Sequence, residues 1–217
     1  MKCRRVYFIS GLAADERVFK HIRLPEGVEM VHLNWITPEK DESLSGYAMR
    51  LSEKIDASEP FVLVGLSFGG MLATEIAKRF RPVQTVLISS IPLSAHLPKY
   101  FRAAAAIRLH KVIPIGFVKM MARSKRLFTR ETGEDKKLLL QIIQESDTRF
   151  IRWAMHAILT WKNEELPEHL MHIHGTRDEV LPGRLTTPTH VIPKAGHLLV
   201  MTEPKKVNNL LAEVVGN

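Results

Sequence analysis

Short apolar runs alternate with amphipathic stretches over most of the chain. Apolar runs bounded by turn residues predict buried strands, and apolar positions spaced by three and four predict helices. The predicted strands are residues 6–9, 28–33, 61–65, 83–88, 170–174 and 189–192, and the predicted helices are residues 16–23, 44–55, 70–80, 101–111, 117–121, 135–145, 149–161 and 204–215. Strands that alternate with helices predict an α/β fold, with a mostly parallel sheet flanked by helices.

The alternation is interrupted once, between residues 93 and 166. This stretch contains several helical patterns and no convincing strand, and strand-like spacing resumes just after it. We therefore predict a sheet core formed by residues 1–92 and 167–217, interrupted by a helical cap insertion at 93–166. A length of 217 residues suits one domain that carries an insertion.

Composition narrows the class of protein. A content of 45% hydrophobic and 25% charged residues is typical of globular proteins, and no apolar run is long enough to predict a membrane span. The apolar run near the start ends at Ser10 and Gly11, which is too short for a secretory leader. Cys3, the one cysteine, cannot form an internal disulfide. Together these features predict a cytoplasmic protein.

The formal net charge of +8 raises the question of a nucleic-acid partner. The densest basic stretch is residues 119–130, and no aromatic RNA-binding signature, zinc-finger spacing or helix-turn-helix accompanies it. Charge alone indicates solubility and nonspecific attraction, so a solvated helix face and turn is the simpler interpretation. We predict no nucleic-acid partner. A basic interaction surface in this stretch is the alternative.

The most informative motif is G-x-S-x-G, with Ser67 between Gly65 and Gly69. It lies between a predicted buried strand and a predicted helix, which is the context in which this motif indicates a nucleophile elbow. A serine in such a turn is held in a strained conformation, and the start of the helix favours developing negative charge. A plain glycine-rich turn is the alternative. The context predicts that Ser67 is a nucleophile.

A serine hydroxyl needs a base to remove its proton, and the base needs an orienting carboxylate. His197 follows the last predicted strand, and Asp178 follows the strand before it. The carboxyl ends of parallel strands lie along one edge of a sheet, so we expect both to reach Ser67. Glu179 is the neighbouring alternative, with a side chain expected to point away. The turn after Ile88 is the competing position for the acid, but it contains Ser89 and Ser90 and no carboxylate.

Two other groups of residues have competing interpretations. His169, His172 and His174 lie close together, but no cysteine or carboxylate with metal-site spacing accompanies them, so we predict no metal site and no cofactor. Trp153 is a candidate for lining a substrate pocket. The apolar face of a packed helix explains it equally well.

The motifs in this order resemble the α/β-hydrolase family. The resemblance rests on Gly-Leu-Ser-Phe-Gly-Gly, then His-Gly-Thr-Arg-Asp-Glu-Val-Leu-Pro, then Ala-Gly-His, and it extends over nearly the whole chain outside the insertion. It implies an oxyanion hole formed by the backbone N–H groups of Leu12 and Phe68, with Gly11 allowing the substrate to approach. Two departures are notable. The chain starts at the strand before the oxyanion loop, so the fold is shortened at its N-terminus, and Ser10 replaces the usual histidine of that loop.

The resemblance implies a serine hydrolase acting on a small-molecule ester, thioester or related carbonyl substrate, with Ser67, Asp178 and His197 as a catalytic triad. Two other readings stay open. One is a different reaction on the same three residues, such as C–C cleavage or a cofactor-free oxidation. The other is a binding protein that keeps the fold without catalysis. The sequence carries no signal for an oligomeric state.

Overall fold

The computed structural model describes residues 4–101, 116, 119–120 and 133–216. Within these residues six strands form one sheet in the order β2-β1-β3-β4-β5-β6, and every neighbouring pair is parallel. The strands are β1 (Arg5–Ile9), β2 (Glu29–His32), β3 (Phe61–Leu66), β4 (Gln84–Ile88), β5 (Leu170–Gly175) and β6 (His190–Ile192). The predicted α/β fold with a parallel sheet is confirmed.

The helices follow the predicted positions closely. They are α1 (Leu44–Ser52), α2 (Phe68–Phe80), α3 (Gly133–Glu145), α4 (Thr148–Thr160), α5 (Leu199–Thr202) and α6 (Pro204–Gly216), with short 3-10 turns at Glu16–Phe19, Ser94–His96 and Gly183–Leu185. The helix predicted over 16–23 is only such a turn, capped at its start by the Asp15 side chain. The helices predicted over 101–111 and 117–121 lie almost entirely outside the described residues. None of the described helices is both long and apolar enough to cross a membrane.

Both faces of the sheet are covered, because successive strand residues point to opposite sides. In β1, Tyr7 and Ile9 join a buried cluster with α1 and α2, whereas Val6 and Phe8 join a second cluster with α5 and α6. The central strand β3 is buried along its whole length. This packing fixes the ends of β1, β3, β5 and β6, where the candidate residues lie.

The described part of the predicted insertion packs onto this core. Leu139 and Ile142 of α3 belong to the cluster on the α6 side, and Phe150 and Ala154 of α4 belong to the cluster on the α1 side. The two helices therefore contribute to both hydrophobic clusters. The division into a core and a separate cap stays a prediction.

Candidate active site

The turn between β3 and α2 holds Ser67 in a conformation that non-glycine residues seldom adopt, with φ 52° and ψ −117°. Two glycines allow this turn to form. A Cβ on Gly65 would collide with the backbone of Gly69, and a Cβ on Gly69 would collide with the carbonyl oxygen of Ile9 at the end of β1. The first glycine lets the helix start close to its own strand, and the second lets it approach the neighbouring strand.

The structure brings Ser67, His197 and Asp178 into one line of hydrogen bonds. The Ser67 Oγ lies 2.9 Å from His197 Nε2, and His197 Nδ1 lies 2.8 Å from Asp178 Oδ2. Because a carboxylate can only accept, Nδ1 carries the proton and Nε2 presents its lone pair to the hydroxyl. The neighbouring Glu179 is exposed, so Asp178 is the acid that meets the histidine.

The Asp178 carboxylate is fully buried and receives several donors. Its Oδ1 accepts the N–H groups of Val180 at 2.9 Å and Leu181 at 2.8 Å. Its Oδ2 lies 2.8 Å from His197 and 3.1 Å from His174. Burial acts to raise the pKa of Asp178, but the neighbouring His197 and these hydrogen bonds outweigh it and hold that pKa below its usual range. The group is therefore an anion at neutral pH.

The loops that carry the acid and the histidine are tied together through their backbones. A Cβ on Gly175, the last residue of β5, would collide with the Ala195 carbonyl. That carbonyl accepts the Arg177 N–H at 2.9 Å, and the Lys194 N–H donates to Thr176 Oγ1 at 2.8 Å. The close approach at a glycine thus sets the distance between Asp178 and His197 independently of their side chains.

The loop after β1 lies beside the serine. A Cβ on Gly11 would be only 3.4 Å from the Cβ of Ser67, which is van der Waals contact. The Ala14 N–H donates to the Gly11 carbonyl at 3.1 Å, which closes the turn that contains Leu12. Phe68 is the first residue of α2, so its N–H has no partner within the helix. The oxyanion role of these two N–H groups and the substrate contact of Gly11 stay predictions.

An aromatic cluster covers the other side of the Ser67 turn. Phe68 contacts Trp35, Phe150 and Trp153, with ring centroids 5.9, 6.3 and 6.0 Å away. Trp153 also lies 4.3 Å from the Tyr47 ring, and its N–H donates to the Glu42 carbonyl at 2.9 Å. The structure therefore gives Trp153 a packing role. A contact with substrate stays a prediction.

A cavity of about 310 Å³ opens next to this aromatic cluster. It lies between the loops that follow β1 and β2 and the start of α4, with Trp35 and Phe150 in its wall. Ser67, Asp178 and His197 do not line it. The cavity adjoins the candidate site through the aromatic side chains that pack on Phe68 and through Ala13, which follows Leu12 in the loop after β1.

Two residues of the site were given no role by the sequence analysis. His172 and His174 are buried side by side in β5, and His174 reaches Asp178. Residues at alternate positions of a strand share a face, so two histidines in a buried strand that leads to the acid were the available signal. Among the described residues, no three side chains of metal-binding type are arranged to hold a metal ion.

The basic stretch at 119–130 lies almost entirely outside the described residues. Within the part that is described, the Lys119 ammonium donates to the carbonyls of Gln144 and Ser146, at 3.0 and 2.5 Å. Lys119 therefore holds the end of α3. An interaction surface formed by the stretch stays an alternative.

Comparison with protein families gives one match that covers most of the chain. The model of a family described as "Alpha/beta hydrolase family" matches residues 8–210. Comparison with curated proteins gives no match.

Solved structures similar to this chain include esterases and MenH. A thermophilic esterase from Thermogutta terrifontis is 18% identical with a TM-score of 0.68, over 98% of this chain and 89% of that chain. MenH from S. aureus is 13% identical with a TM-score of 0.75, over 100% of this chain and 94% of that chain. An esterase from Exiguobacterium antarcticum is 14% identical with a TM-score of 0.74, over 100% of this chain and 94% of that chain. At these identities the likeness establishes the fold alone.

Proposed function

The chain belongs to the α/β-hydrolase family, and from this premise we propose that it is a serine hydrolase that cleaves a small-molecule ester, thioester or related carbonyl substrate. The observation that carries the proposal is the line of hydrogen bonds from Ser67 through His197 to Asp178, at 2.9 and 2.8 Å. These are the distances that proton transfer between a nucleophile and its base requires. The positive φ of Ser67 is a second support, since such strain clusters at functional sites.

The first half of the proposed reaction forms an acyl-enzyme. His197 Nε2 takes the proton of the Ser67 hydroxyl while Oγ bonds to the substrate carbonyl carbon. The carbonyl oxygen becomes an oxyanion, which the N–H groups of Leu12 and Phe68 stabilise. When the tetrahedral intermediate collapses, the bond to the leaving group breaks. The departing oxygen or sulfur takes the proton from His197, and the acyl group stays on Ser67.

The second half transfers the acyl group to water. His197 accepts a proton from a water molecule, whose oxygen bonds to the acyl carbon. The bond from that carbon to the Ser67 Oγ then breaks, and Oγ recovers the proton from His197. Asp178 stays ionised throughout. It keeps the imidazole in the required tautomer and stabilises the imidazolium that forms in each half.

We also propose that residues 93–166 act as a cap that shapes the substrate site. The support is the position of α4, whose Phe150 and Trp153 pack on Phe68 next to the nucleophile. A segment that contacts the residue after the nucleophile is well placed to select substrates. The identity of the substrate then depends on this segment more than on the three reacting side chains.

The proposal is tested by trapping the acyl-enzyme. The protein is mixed with a panel of p-nitrophenyl esters and acyl thioesters, quenched in acid, and digested for peptide mass spectrometry, with Ser67→Ala as the control. We expect the acyl mass on the peptide that contains Ser67, together with product release that the control lacks. Turnover that persists in the Ser67→Ala protein would contradict the mechanism. A folded protein that neither turns over nor acylates across the panel would favour a binding protein or a different reaction.

A further inference from the structure

The polar contacts of the candidate site continue beyond Asp178 and return to Ser67. From the acid they pass through two buried histidines of β5 to Ser90, whose hydroxyl donates to the Ser67 carbonyl oxygen. The distances are 3.1 Å from Asp178 Oδ2 to His174 Nε2, 3.1 Å from His174 Nδ1 to His172 Nε2, 3.0 Å from His172 Nε2 to the Ser90 carbonyl, and 2.6 Å from Ser90 Oγ to the Ser67 carbonyl. With the bonds through His197, the chain of contacts forms a closed ring.

The contacts of His174 determine where its proton lies. Its Nε2 faces two acceptors, the Leu181 carbonyl at 2.6 Å and Asp178 Oδ2 at 3.1 Å. Neither oxygen carries a hydrogen at neutral pH, so Nε2 must be the protonated nitrogen. With the proton on Nε2, Nδ1 can accept a hydrogen bond, and it faces His172 Nε2 at 3.1 Å.

His172 fixes that arrangement from the other side. Its Nε2 lies 3.1 Å from His174 Nδ1 and 3.0 Å from the Ser90 carbonyl, both of them acceptors, so it carries a proton that the two share. Its Nδ1 is buried and has no partner among the described residues. Burial and the neighbouring His174 lower the pKa of His172 to about 4, so this imidazole stays neutral at physiological pH. A neutral His172 can serve as a donor with a fixed tautomer.

The carboxylate of Asp178 is surrounded by four polar groups. An ionised carboxylate offers about four lone-pair sites. Here Oδ1 receives two backbone N–H groups, while Oδ2 faces His197 at 2.8 Å and His174 at 3.1 Å. His174 also holds the Leu181 carbonyl, and the Leu181 N–H is one of the two donors to Oδ1. One side chain thus restrains both the carboxylate and the loop that binds it.

We propose that His174 is a positioning residue, which holds Asp178 in the orientation that His197 requires, and that His172 holds His174 in the necessary tautomer. The expected effect on catalysis rests on the proposed function. The expected effect of His174 on the hydrogen bond between Asp178 and His197 does not depend on the protein being an enzyme. A residue that only filled space in β5 would leave that bond unchanged when replaced by a side chain that packs.

The test compares four proteins, which are the wild type, His174→Leu, His174→Gln and Ile173→Val. Leucine fills the site without a donor, and the glutamine amide reaches toward the position of Nε2 and can accept from His172. Ile173 is buried on the opposite face of the same strand, so Ile173→Val perturbs β5 without touching Asp178. Two readouts are used. One is the rate at which a fluorophosphonate labels Ser67, and the other is the proton NMR resonance of His197 Nδ1–H.

In His174→Leu we expect the maximal labelling rate to fall about 10- to 100-fold, as for other partners that orient a site, with an unchanged half-saturating probe concentration. The Nδ1–H resonance should move upfield and broaden. His174→Gln should recover most of the wild-type labelling rate and resonance position. Ile173→Val should change neither the rate nor the resonance. A His174→Leu protein with the labelling rate and the resonance of the wild type would overturn the proposal.

Two further outcomes are a His174→Leu protein that does not fold and a wild type that is not labelled. If His174→Leu does not fold, His174→Asn replaces it, because its shorter amide cannot reach Asp178. Equal resonances in the asparagine and glutamine variants would then overturn the proposal. If the wild type itself is not labelled, the proposed hydrolase activity fails, while the His197 resonance still decides whether His174 positions Asp178.

Discussion

The two sides of the Ser67 turn are built in opposite ways. On one side, buried polar groups form a ring of polar contacts through His197, Asp178 and His174. On the other side, Phe68 packs among aromatic rings that include Phe150. The first side depends on the direction of each bond, and the second depends on the area and shape that it buries.

This difference separates the control of activity from the control of stability. A hydrogen-bonded group that loses its partner fails in a single step, because the remaining group is buried and cannot turn to water. An aromatic side chain that is replaced by a smaller one leaves a cavity, which its neighbours partly fill. We therefore expect substitutions of Asp178, His197 and His174 to change chemistry more than folding. Substitutions on the aromatic side should do the reverse.

The largest effect is expected on the polar side, in Asp178→Asn. The amide keeps the shape of the carboxylate but no longer enforces the tautomer of His197 or stabilises its charged form. By analogy with other serine hydrolases, kcat should fall about 10,000-fold. Steady-state kinetics on the best ester substrate measures this, with Glu179→Gln, one residue away and exposed, as the matched control. An Asp178→Asn protein within tenfold of the control would show that the acid lies elsewhere.

Next in size is a loss of stability on the aromatic side, in Phe150→Ala. Removing a buried aromatic side chain costs about 3–5 kcal/mol of the free energy of unfolding, whereas the hydrogen bonds of Ser67 are untouched. Urea denaturation measures the loss, and Phe150→Leu should lose clearly less. The labelling rate of the folded protein should stay within about tenfold of the wild type, a range of 1.4 kcal/mol. A stable Phe150→Ala protein that is no longer labelled would erase the distinction between the two sides.

The pH dependence of stability should locate the buried histidine. The pKa of His172 is about 4 in the folded protein and 6.5 in its ordinary state, so the unfolded chain binds a proton that the folded one excludes between these values. The stabilisation that depends on a neutral His172 is fully present above about pH 6.5. The free energy of unfolding then falls by about 3 kcal/mol as the pH drops to about 4. The pKa of Asp178 is lowered instead, so its contribution is present above about pH 4 and is lost only at lower pH.

Urea denaturation at intervals between pH 7 and pH 4 resolves these two windows. In His172→Gln the free energy of unfolding should change less between pH 6.5 and pH 4 than in the wild type, because the amide does not titrate. The slope below pH 4 should persist, because Asp178 is still present. An unchanged slope in the upper window would mean that His172 is not the group responsible.

The smallest effect separates two neighbouring serines. Ser89 and Ser90 are both fully buried, yet only the Ser90 hydroxyl donates to the Ser67 carbonyl, at 2.6 Å, while the Ser89 hydroxyl has no partner among the described residues. Ser90→Ala should therefore lose about 1 kcal/mol of stability, with labelling slowed a few-fold at most. Ser89→Ala should lose less. Equal losses would indicate that the bond to Ser67 contributes little.

The sequence was sufficient for most of the fold and for the three side chains that the structure brings together, Ser67, Asp178 and His197. Strands and helices were predictable because β3 reads as a continuous apolar run and α6 as an amphipathic one, both local signals. Ser67 was predictable because the glycines that its turn needs are adjacent to it. Asp178 and His197 followed from the rule that parallel strands end along one edge.

The rest depended on contacts between distant parts of the chain. The path from His172 to Ser90 joins residues 82 positions apart. Nothing in the local sequence distinguishes Ser90 from Ser89, or His174 from a satisfied core histidine. The packing of Trp153 against Phe68 likewise requires the position of α4 on the sheet. The short helix α5 was missed because four residues carry too little periodicity.

Fluorophosphonate labelling measures directly whether His197 and Asp178 activate Ser67, because no substrate need be known. The purified protein is treated with the probe, and the modified peptide is located by mass spectrometry in the wild type, Ser67→Ala and His197→Ala. We predict a single modification on Ser67 of the wild type, none at that position in Ser67→Ala, and labelling in His197→Ala slower by at least about 1,000-fold. A folded wild-type protein that resists the probe, or labelling of Ser67 that persists unchanged in His197→Ala, would show that His197 and Asp178 do not activate Ser67.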